Sequence, residues 1–424
     1  MNLTRAAVLL TVLTMAVGIV GLWSEGAAAL PWWRVLAIVL IAGLVYEMLA
    51  TRNQRIDARL VGGKRLFLGR HESLILEIAS HAKRRLPLRF AATAPDAFDV
   101  QQQTRSVLLP AAASSTVELP VRSLVLGRHR WESMPARVKG PLGLAWWSRR
   151  LALETEIEVI PDTLGPRTAG TGIERGGANA ETALGGGMEL HSLREYRAGD
   201  PLRAIDWKAT ARASKLITRV FSEDQHLEVM ILVDAGRTGR TQIDEINQFG
   251  HYVNLAARFA EYCIASDDRV GLVAFADRPL VSHPPGRGVA AVQRLRRSLT
   301  GIAPLAVESD VLQAALHLRQ LLRHRCLVVI LTDLYERSAT SALVQASKLL
   351  LPNHLPLIVG LMSEDVVELA GRPASDWLDP YHSLAAREYQ QHIAASVARL
   401  TQLGAHALAA RPAELDRRVL AQYA

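Results

Sequence analysis

The chain has 424 residues, of which 49% are hydrophobic and 5% aromatic, with a formal net charge of +8. This length predicts about two or three domains, and the positive charge favours an anionic partner such as nucleic acid, an acidic protein or lipid headgroups. Only two cysteines occur, Cys263 and Cys326, which excludes a disulfide framework and indicates a reducing compartment for most of the chain.

The N-terminal region, residues 1–59, is predicted to form a transmembrane helical hairpin. Its apolar segments cover about residues 6–23 and 31–50. Each segment is long enough to cross a hydrocarbon core of roughly 30 Å as a helix. Arg34 and Glu47 lie near the ends of the second segment, where long side chains reach lipid headgroups. A cleaved signal peptide is the alternative interpretation of the first segment.

Basic residues predict the orientation of this hairpin. Arg5 precedes the first segment. A basic cluster follows the second segment: Arg52, Arg55, Arg59, Lys64 and Arg65. The positive-inside rule therefore predicts a two-pass protein of the inner (plasma) membrane, with both termini and the soluble domains in the cytoplasm and membrane lipids as partners.

Residues 60–163 are predicted to form a β-rich, sandwich-like domain. Apolar and polar side chains alternate with period two in short runs, for example at residues 73–78 and 116–121. Proline, glycine and serine separate these runs, as is typical of antiparallel sandwiches. Residues 164–187 are rich in glycine and poor in bulky apolar residues, which predicts a flexible linker.

Residues 226–424 are predicted to form an α/β domain with a doubly wound, mostly parallel sheet. Apolar runs predict strands at residues 229–234, 269–277, 326–333, 355–362 and 405–410. Three- and four-residue spacing predicts helices at residues 241–265, from about 289, from about 311, near 341–350 and near 385–403. In such sheets, binding sites form at the carboxyl ends of the strands.

The predicted strands at residues 229–234 and 326–333 end in Asp234 and Asp333. Residues 234–238, DAGRT, resemble the D-x-S-x-S segment of the metal-ion-dependent adhesion site of von Willebrand factor type A domains. Asp234 matches the aspartate and Thr238 the second serine, whereas Gly236 supplies no hydroxyl. The resemblance also assigns Ser309, before a helix, and Asp333 to the site.

The resemblance implies a Mg²⁺ site with Asp234, Thr238, Ser309 and Asp333 as metal residues. Hydroxyl and carboxylate oxygens suit this hard cation, which usually keeps several waters and could then bind an acidic side chain of a partner. The alternative interpretation is that both aspartates only cap the helices that follow them.

A second resemblance covers residues 187–361. Its motif is R-x-Y-x-x-G-D-x-x-R-x-I-D-W-K-x-x-A-R, present here as Arg194, Tyr196, Gly199–Asp200, Arg203, Ile205–Lys208 and Ala211–Arg212. The chain thereby resembles the domain-of-unknown-function 58 family of bacterial membrane proteins. The resemblance implies a membrane hairpin, a β-rich region and a von Willebrand A-like domain, with a MoxR-type AAA+ ATPase as partner.

The same motif occupies residues 188–225, where a helix and an edge strand are predicted. Asp200 is a candidate N-cap with Pro201 at the first helical position. Five residues of this helix carry the candidate interaction or structural motif: Arg203, Asp206, Trp207, Lys208 and Arg212. Two roles compete, a structural clamp around a buried tryptophan and a docking surface for a partner. Nucleic-acid binding is not expected, because four acidic residues dilute the positive charge.

No catalytic motif is recognisable in the sequence, neither HExxH, G-x-S-x-G nor CxxC. The sequence therefore predicts a binding or adaptor protein rather than an enzyme. A metal-dependent hydrolase at the membrane that uses Asp234 and Asp333, and a purely structural scaffold, remain as alternatives.

Overall fold

The computed structural model describes residues 2–23, 32–100, 104–163, 184–197, 205–222, 227–335, 337–373 and 375–423. The chain divides into two compact units. The first comprises Met1–Asp162 with Thr300–Ile302, and the second comprises Thr163–Leu299 with Ala303–Ala424.

The first unit begins with a short strand and two apolar helices, β1 (Asn2–Leu3), α1 (Arg5–Trp23) and α2 (Trp32–Arg52). Among the described residues, one helix is long and apolar enough to cross a membrane, at Trp33–Arg52. The apolar stretch of α1, Arg5–Val20, is shorter. In residues 5–20 and 33–52 of these helices, most large apolar side chains are exposed, which is consistent with membrane association.

The side chain of Glu47 was expected to reach lipid headgroups, and the structure contradicts this. It is fully buried and accepts hydrogen bonds from the backbone N–H groups of Leu144 and Ala145, each at 2.9 Å. Glu47 therefore holds a turn of the β region and does not extend towards headgroups. A carboxylate in an apolar helix is tolerated here because backbone donors satisfy its oxygens.

The β region of the first unit contains two sheets. One has four antiparallel strands, ordered β2 (Ile56–Val61), β4 (His71–Ser80), β8 (Ser114–Ser123) and β6 (Phe98–Val100). The other has six strands and follows the order β1, β10 (Ala145–Ile160), β9 (Gly127–Lys139), β5 (Leu86–Ala91) and β7 (Thr104–Leu109), with β3 (Arg65–Phe67) paired in parallel to β10. The first strand after α2 begins at Ile56 rather than at residue 60.

Period-two burial explains these strands. Leu74, Leu76 and Ile78 are buried on one face of β4, while the residues between them are exposed or half-buried. The pattern predicted from the sequence thus coincides with one buried and one solvated face, as in antiparallel sheets generally.

The second unit starts with a separate two-stranded sheet, β11 (Leu184–Glu195) paired with β12 (Ile217–Ser222). Strand β11 includes residues 184–187, which the sequence had assigned to the linker. Strand β12 was expected to lead into the main sheet as its edge, but within the described residues it pairs with β11, and its Thr218 forms an isolated bridge with Ile205.

Between these strands lies the helix of the family motif, α3 (Trp207–Ala213). Its N-cap is Asp206, whose Oδ1 accepts from the N–H groups of Lys208 and Ala209 at 3.0 Å each. Asp206 has extended backbone, so the prediction of one continuous helix from Pro201 was wrong. Asp200, Pro201 and Arg203 lie outside the described residues.

The main sheet of the second unit has six strands. Their order is β17 (Pro279–Gly286), β16 (Arg269–Phe275), β13 (Glu228–Asp234), β18 (Cys326–Leu331), β19 (Leu355–Leu361) and β20 (His406–Ala410). Only β17 is antiparallel to its neighbour. Every residue from Val229 to Val233 is fully buried, because both faces of the sheet are covered, and this explains the continuous apolar runs in the sequence.

In the described part of this unit, the following α-helices connect or flank these strands: α4 (Gln248–Ala265), α5 (Gly288–Thr300), α6 (Val311–Leu321), α7 (Arg337–Leu350), α8 (Glu364–Gly371), α9 (Asp379–Gln402) and α10 (Pro412–Tyr423). The sequence missed β17, α8 and α10. It also started α4 at residue 241, whereas Asn247 caps this helix and a short hairpin of β14 (Gln242–Ile243) and β15 (Ile246–Asn247) precedes it. Ile243 and Ile246 are buried in that hairpin, which explains their helix-like spacing.

A cleft at the carboxyl ends of the central strands

The carboxyl ends of β13 and β18 open into a cleft of about 420 Å³. All four residues predicted for the metal site line it: Asp234, Thr238, Ser309 and Asp333. They come from the end of β13, the turn after it, the loop before α6 and the segment after β18. The parallel pairing of β13 with β18 is what brings the two aspartates to one edge of the sheet.

Asp234 forms the floor of the cleft and is 3% exposed. Its Oδ1 accepts from the N–H of Gly236 at 2.8 Å and from the hydroxyl of Ser309. Its Oδ2 accepts from the hydroxyl of Thr332 at 2.6 Å. Three donors from three segments therefore meet on one carboxylate, and Asp234 ties these segments together.

Behind Asp234 lies a buried phenol. Tyr252 on α4 donates its hydroxyl to the carbonyl of Thr332 at 2.8 Å and accepts from the side-chain amide of Gln248 at 2.9 Å. Burial, together with the charges of Asp333 and Asp234, holds the pKa of Tyr252 well above its usual value. The phenol is thus a permanent donor at neutral pH, and it positions the residue that binds Asp234.

Asp333 lies on the wall of the cleft and is half-buried. Its Oδ1 accepts from the N–H of Tyr335 at 3.1 Å, and the ring of Tyr335 stacks on Tyr389 with a centroid distance of 4.4 Å. Burial, with a further contribution from Asp333, raises the pKa of Tyr389 to about 12. Asp333 therefore shapes the loop after β18 as well as the charge of the cleft.

The glycine at position 236 has a steric cause. A Cβ atom at this position would overlap the Ser309 hydroxyl and would lie 3.0 Å from the carbonyl of Val307. Ser309 therefore occupies the space in which a side chain of residue 236 would begin. The missing hydroxyl of the adhesion-site pattern follows from this close approach of two loops.

This packing predicts that restoring the pattern is harmful. We expect Gly236→Ser to lower the free energy of unfolding by about 2–3 kcal/mol, because the new side chain displaces the Ser309 hydroxyl from Asp234 and crowds a backbone carbonyl. Urea unfolding of the protein in detergent measures the change. In the Ser309→Ala background the same substitution should cost less, and equal costs in both backgrounds would refute the steric explanation.

Sequence reasoning missed three acidic residues of the cleft, Asp277, Glu308 and Asp310. Asp277 follows β16 just as Asp234 and Asp333 follow their strands, so the same rule could have found it. Asp310 is the N-cap of α6 and accepts from the N–H of Gln313 at 2.9 Å. Glu308 is 3.6 Å from the guanidinium of Arg237, the only basic residue among the described residues that line the cleft.

The cleft is therefore acidic and rich in hydroxyl groups. Within the described ranges, no three His, Cys, Asp or Glu side chains converge in the manner of metal ligands. Any cation here would depend on hydroxyl oxygens in addition to carboxylates.

The tryptophan of the candidate interaction motif on α3 is exposed to solvent. Trp207 is 68% exposed, and Lys208 and Arg212 are also exposed. The interpretation as a clamp around a buried tryptophan was therefore wrong for the described residues. Asp206 caps α3, as described above, and Arg203 lies outside the described part of the chain.

Comparison with known proteins finds similarity over parts of the chain. Residues 192–352 match the family described as "Protein of unknown function DUF58". The "Uncharacterized protein YeaD" of Bacillus subtilis (strain 168) is 27% identical over 129 residues, which are 28% of this chain and 31% of that protein. The matched part thus spans about a third of that relative.

Similarity to solved structures is remote. The conserved hypothetical protein BatB of Bacteroides thetaiotaomicron has a TM-score of 0.29 at 15% identity and covers 46% of this chain and 96% of its own. Proximal thread matrix protein 1 of the mussel byssus has a TM-score of 0.27 at 11% identity, over 38% of this chain and 46% of its own. Scores this low support no conclusion, and the match to the DUF58 family is limited to residues 192–352.

Proposed function

We propose that this chain is a membrane-anchored cytoplasmic adaptor whose second unit, a von Willebrand A-like domain, engages a MoxR-type AAA+ ATPase. The observation that carries the proposal is the open acidic cleft at the carboxyl ends of β13 and β18. Its floor aspartate is bound by three donors, so it organises the surrounding loops. A cleft of this kind, lined by a few convergent polar groups, suits the recognition of a partner group.

The membrane anchor of the proposal is a two-pass hairpin of α1 and α2, with both termini in the cytoplasm. The apolar surface of α2 and the basic cluster that follows it support this topology. The inner (plasma) membrane is the corresponding location.

Mg²⁺ is the cation that the cleft would hold in this proposal. Thr238 and Ser309 offer hydroxyls, and Asp234 and Asp333 offer carboxylates, which are the hard oxygen donors that Mg²⁺ prefers. Gly236 cannot supply a further hydroxyl for the steric reason given above. The donor set therefore fits a weakly held ion that keeps most of its waters, and the ion would supply a point of attachment for a carboxylate of the partner.

A second surface of the proposal is formed by Trp207, Lys208 and Arg212, which we call the α3 surface. Exposed Trp and Arg side chains are typical energetic centres of interfaces. Two acidic side chains near this surface bind other groups: Asp206 caps α3, and Glu195 forms an ion pair with Lys215 at 2.9 Å. Lys208 and Arg212 consequently present positive charge to a partner with acidic residues.

A binding assay between the detergent-solubilised chain and its cognate MoxR-type ATPase tests the proposal. We expect Trp207→Ala to weaken binding at least tenfold, because loss of a central interface tryptophan costs about 2 kcal/mol or more. Removal of Mg²⁺ with EDTA should weaken binding, as should Thr238→Ala. Surface plasmon resonance or co-purification provides the measurement.

The matched control is Trp377→Ala, which removes a tryptophan that is 73% exposed and lies outside the family match. Binding equal to wild type is expected for this variant. Equal losses in both tryptophan variants would contradict the α3 surface. An ATPase that does not bind the wild-type chain at micromolar concentration would contradict the adaptor role itself.

A further inference from the structure

The turn between β9 and β10, Gly140–Leu144, packs beside the apolar helix α2. A Cβ atom at Gly43 would lie 3.0 Å from Cδ1 of Leu144 and 3.4 Å from Cδ1 of Leu142. Glu47, one helical turn further on, accepts from the backbone of the same segment, as described above. The turn therefore lies against the middle and the second half of α2, not beyond its end.

This contact fixes the depth of the turn if α2 crosses a membrane. Gly43 precedes Arg52, the last residue of α2, by nine residues, which corresponds to about 14 Å along a helix. The hydrocarbon core is about 30 Å thick, and basic residues such as Arg52 mark its boundary. Side chains that touch Gly43 consequently lie on the apolar side of that boundary.

The side chains of the turn are suited to the apolar interior of a membrane. Its sequence, GPLGL, contains no charged or polar side chain, and Leu142 at its tip is 57% exposed. Protein atoms cover less than half of this side chain, so most of its apolar surface needs another apolar partner. Lipid acyl chains would provide an apolar surrounding for it.

Most peptide groups of the turn form hydrogen bonds, as an apolar medium requires, because an unsatisfied peptide group is costly there. Gly143 donates to the carbonyl of Gly140 at 3.1 Å, and Gly140 donates to that of Ala145 at 3.0 Å. The N–H groups of Leu144 and Ala145 donate to Glu47. Thr4, at the start of α1, donates its hydroxyl to the carbonyl of Gly143 at 2.7 Å and its N–H to that of Leu144 at 2.9 Å.

The flanks of the turn carry residues that favour the membrane interface. Lys139 precedes it, and Trp146 and Trp147 follow it. The indole N–H of Trp147 points to Glu47 at 3.4 Å, and Arg149 donates to the carbonyl of Arg52 at 2.7 Å. Tryptophan and basic side chains are enriched where protein meets the headgroup layer.

We propose that the β9–β10 turn is a second membrane contact of this protein, a foot that reaches the interior of the hydrocarbon layer beside α2 and inserts Leu142 among lipid acyl chains. The proposal rests on the membrane anchoring by α2 that belongs to the proposed function. The inference goes beyond that anchoring, because the β region itself would contact the bilayer and would not be connected to it through α2 alone.

Fluorescence quenching by brominated lipids tests the foot in the full chain reconstituted into vesicles of phosphatidylcholine and phosphatidylglycerol. Cys263 and Cys326 are buried, so a bimane probe can be attached selectively to Leu142→Cys under native conditions. We expect lipids brominated at acyl positions 11 and 12 to quench this probe at least twofold more than unbrominated lipids, because the contact with Gly43 lies about 14 Å from Arg52 along α2. Bromine nearer the headgroup, at positions 6 and 7, should quench it less.

Two further labelled positions make the outcome decisive. Val125→Cys replaces an apolar residue that is 46% exposed at the opposite end of β9, and its probe should not be quenched. Ile41→Cys replaces a residue of α2 that is 58% exposed, and its probe should be strongly quenched. Quenching at residue 41 but not at residue 142 would overturn the foot and leave the anchor intact. A probe at residue 41 that is not quenched would overturn the membrane anchor, and the foot with it.

Discussion

Replacing Asp234 by alanine is expected to destabilise the second unit by about 3–5 kcal/mol. The substitution removes one buried carboxylate and leaves three donors without their acceptor, namely the N–H of Gly236 and the hydroxyls of Ser309 and Thr332. Unsatisfied buried polar groups cost about 1–3 kcal/mol each when water cannot reach them, and partial relaxation reduces the sum. Urea unfolding followed by tyrosine and tryptophan fluorescence measures the loss.

Asp310→Ala is the matched control for this prediction. Asp310 lines the same cleft, but among the described residues its carboxylate accepts from one backbone N–H, that of Gln313 at the start of α6. Loss of such a helix cap costs about 1 kcal/mol. If both variants lost the same stability, the role of Asp234 as the tie between three segments would be refuted.

The expected instability of Asp234→Ala affects how the metal proposal has to be tested. A variant that loosens three segments also loses binding for reasons unrelated to a cation. Thr238→Ala and the removal of Mg²⁺ with EDTA are therefore the informative changes. Thr238 lines the cleft, and no side-chain hydrogen bond of Thr238 supports the loops among the described residues.

The second large effect is expected for Gly140→Ala in the first unit. A Cβ atom at this position would overlap the carboxylate of Glu47. The carboxylate cannot move aside without losing its bonds to Leu144 and Ala145. Overpacking and broken hydrogen bonds together should cost about 3–4 kcal/mol. Thermal unfolding in detergent micelles, monitored by tryptophan fluorescence, provides the measurement.

Gly371→Ala serves as the control, because a Cβ atom at this end of α8 would meet no atom within 4 Å. Its effect should stay within about 0.5 kcal/mol. In the Glu47→Ala background, Gly140→Ala should have a much smaller effect, since the overlapping carboxylate is gone. A full cost in that background would show that Glu47 is not the obstacle.

Both predictions depend on contacts between residues that are far apart in the sequence. Glu47 meets a turn nearly a hundred residues later, and Asp234 meets Ser309 and Thr332. Side-chain periodicity describes only the neighbours of a residue along one helix or strand. It predicted that Asp234 and Asp333 lie at one sheet edge, because parallel strands share their direction, but it could not predict which hydroxyl occupies the space beside Gly236.

Local patterns were sufficient wherever burial follows a fixed period. The alternating strands of the β region, the fully buried strands of the α/β sheet and most of the amphipathic helices were recognised in this way. Errors arose where a cap or a short hairpin competes with helical spacing, as at Asn247 and Asp206. A polar side chain that binds its own following N–H groups ends the helix regardless of the apolar pattern around it.

By itself, the sequence determined the apolar N-terminal segments, the motif of residues 194–212 and the strand-terminal aspartates, because each depends on the order of residues along the chain. Only the tertiary structure decided the contacts that give these features a role. It buried Glu47 under the β9–β10 turn, exposed Trp207 and placed Ser309 where residue 236 would need its side chain. Such contacts depend on the packing of distant segments, whose free energy is not encoded in any single stretch of the chain.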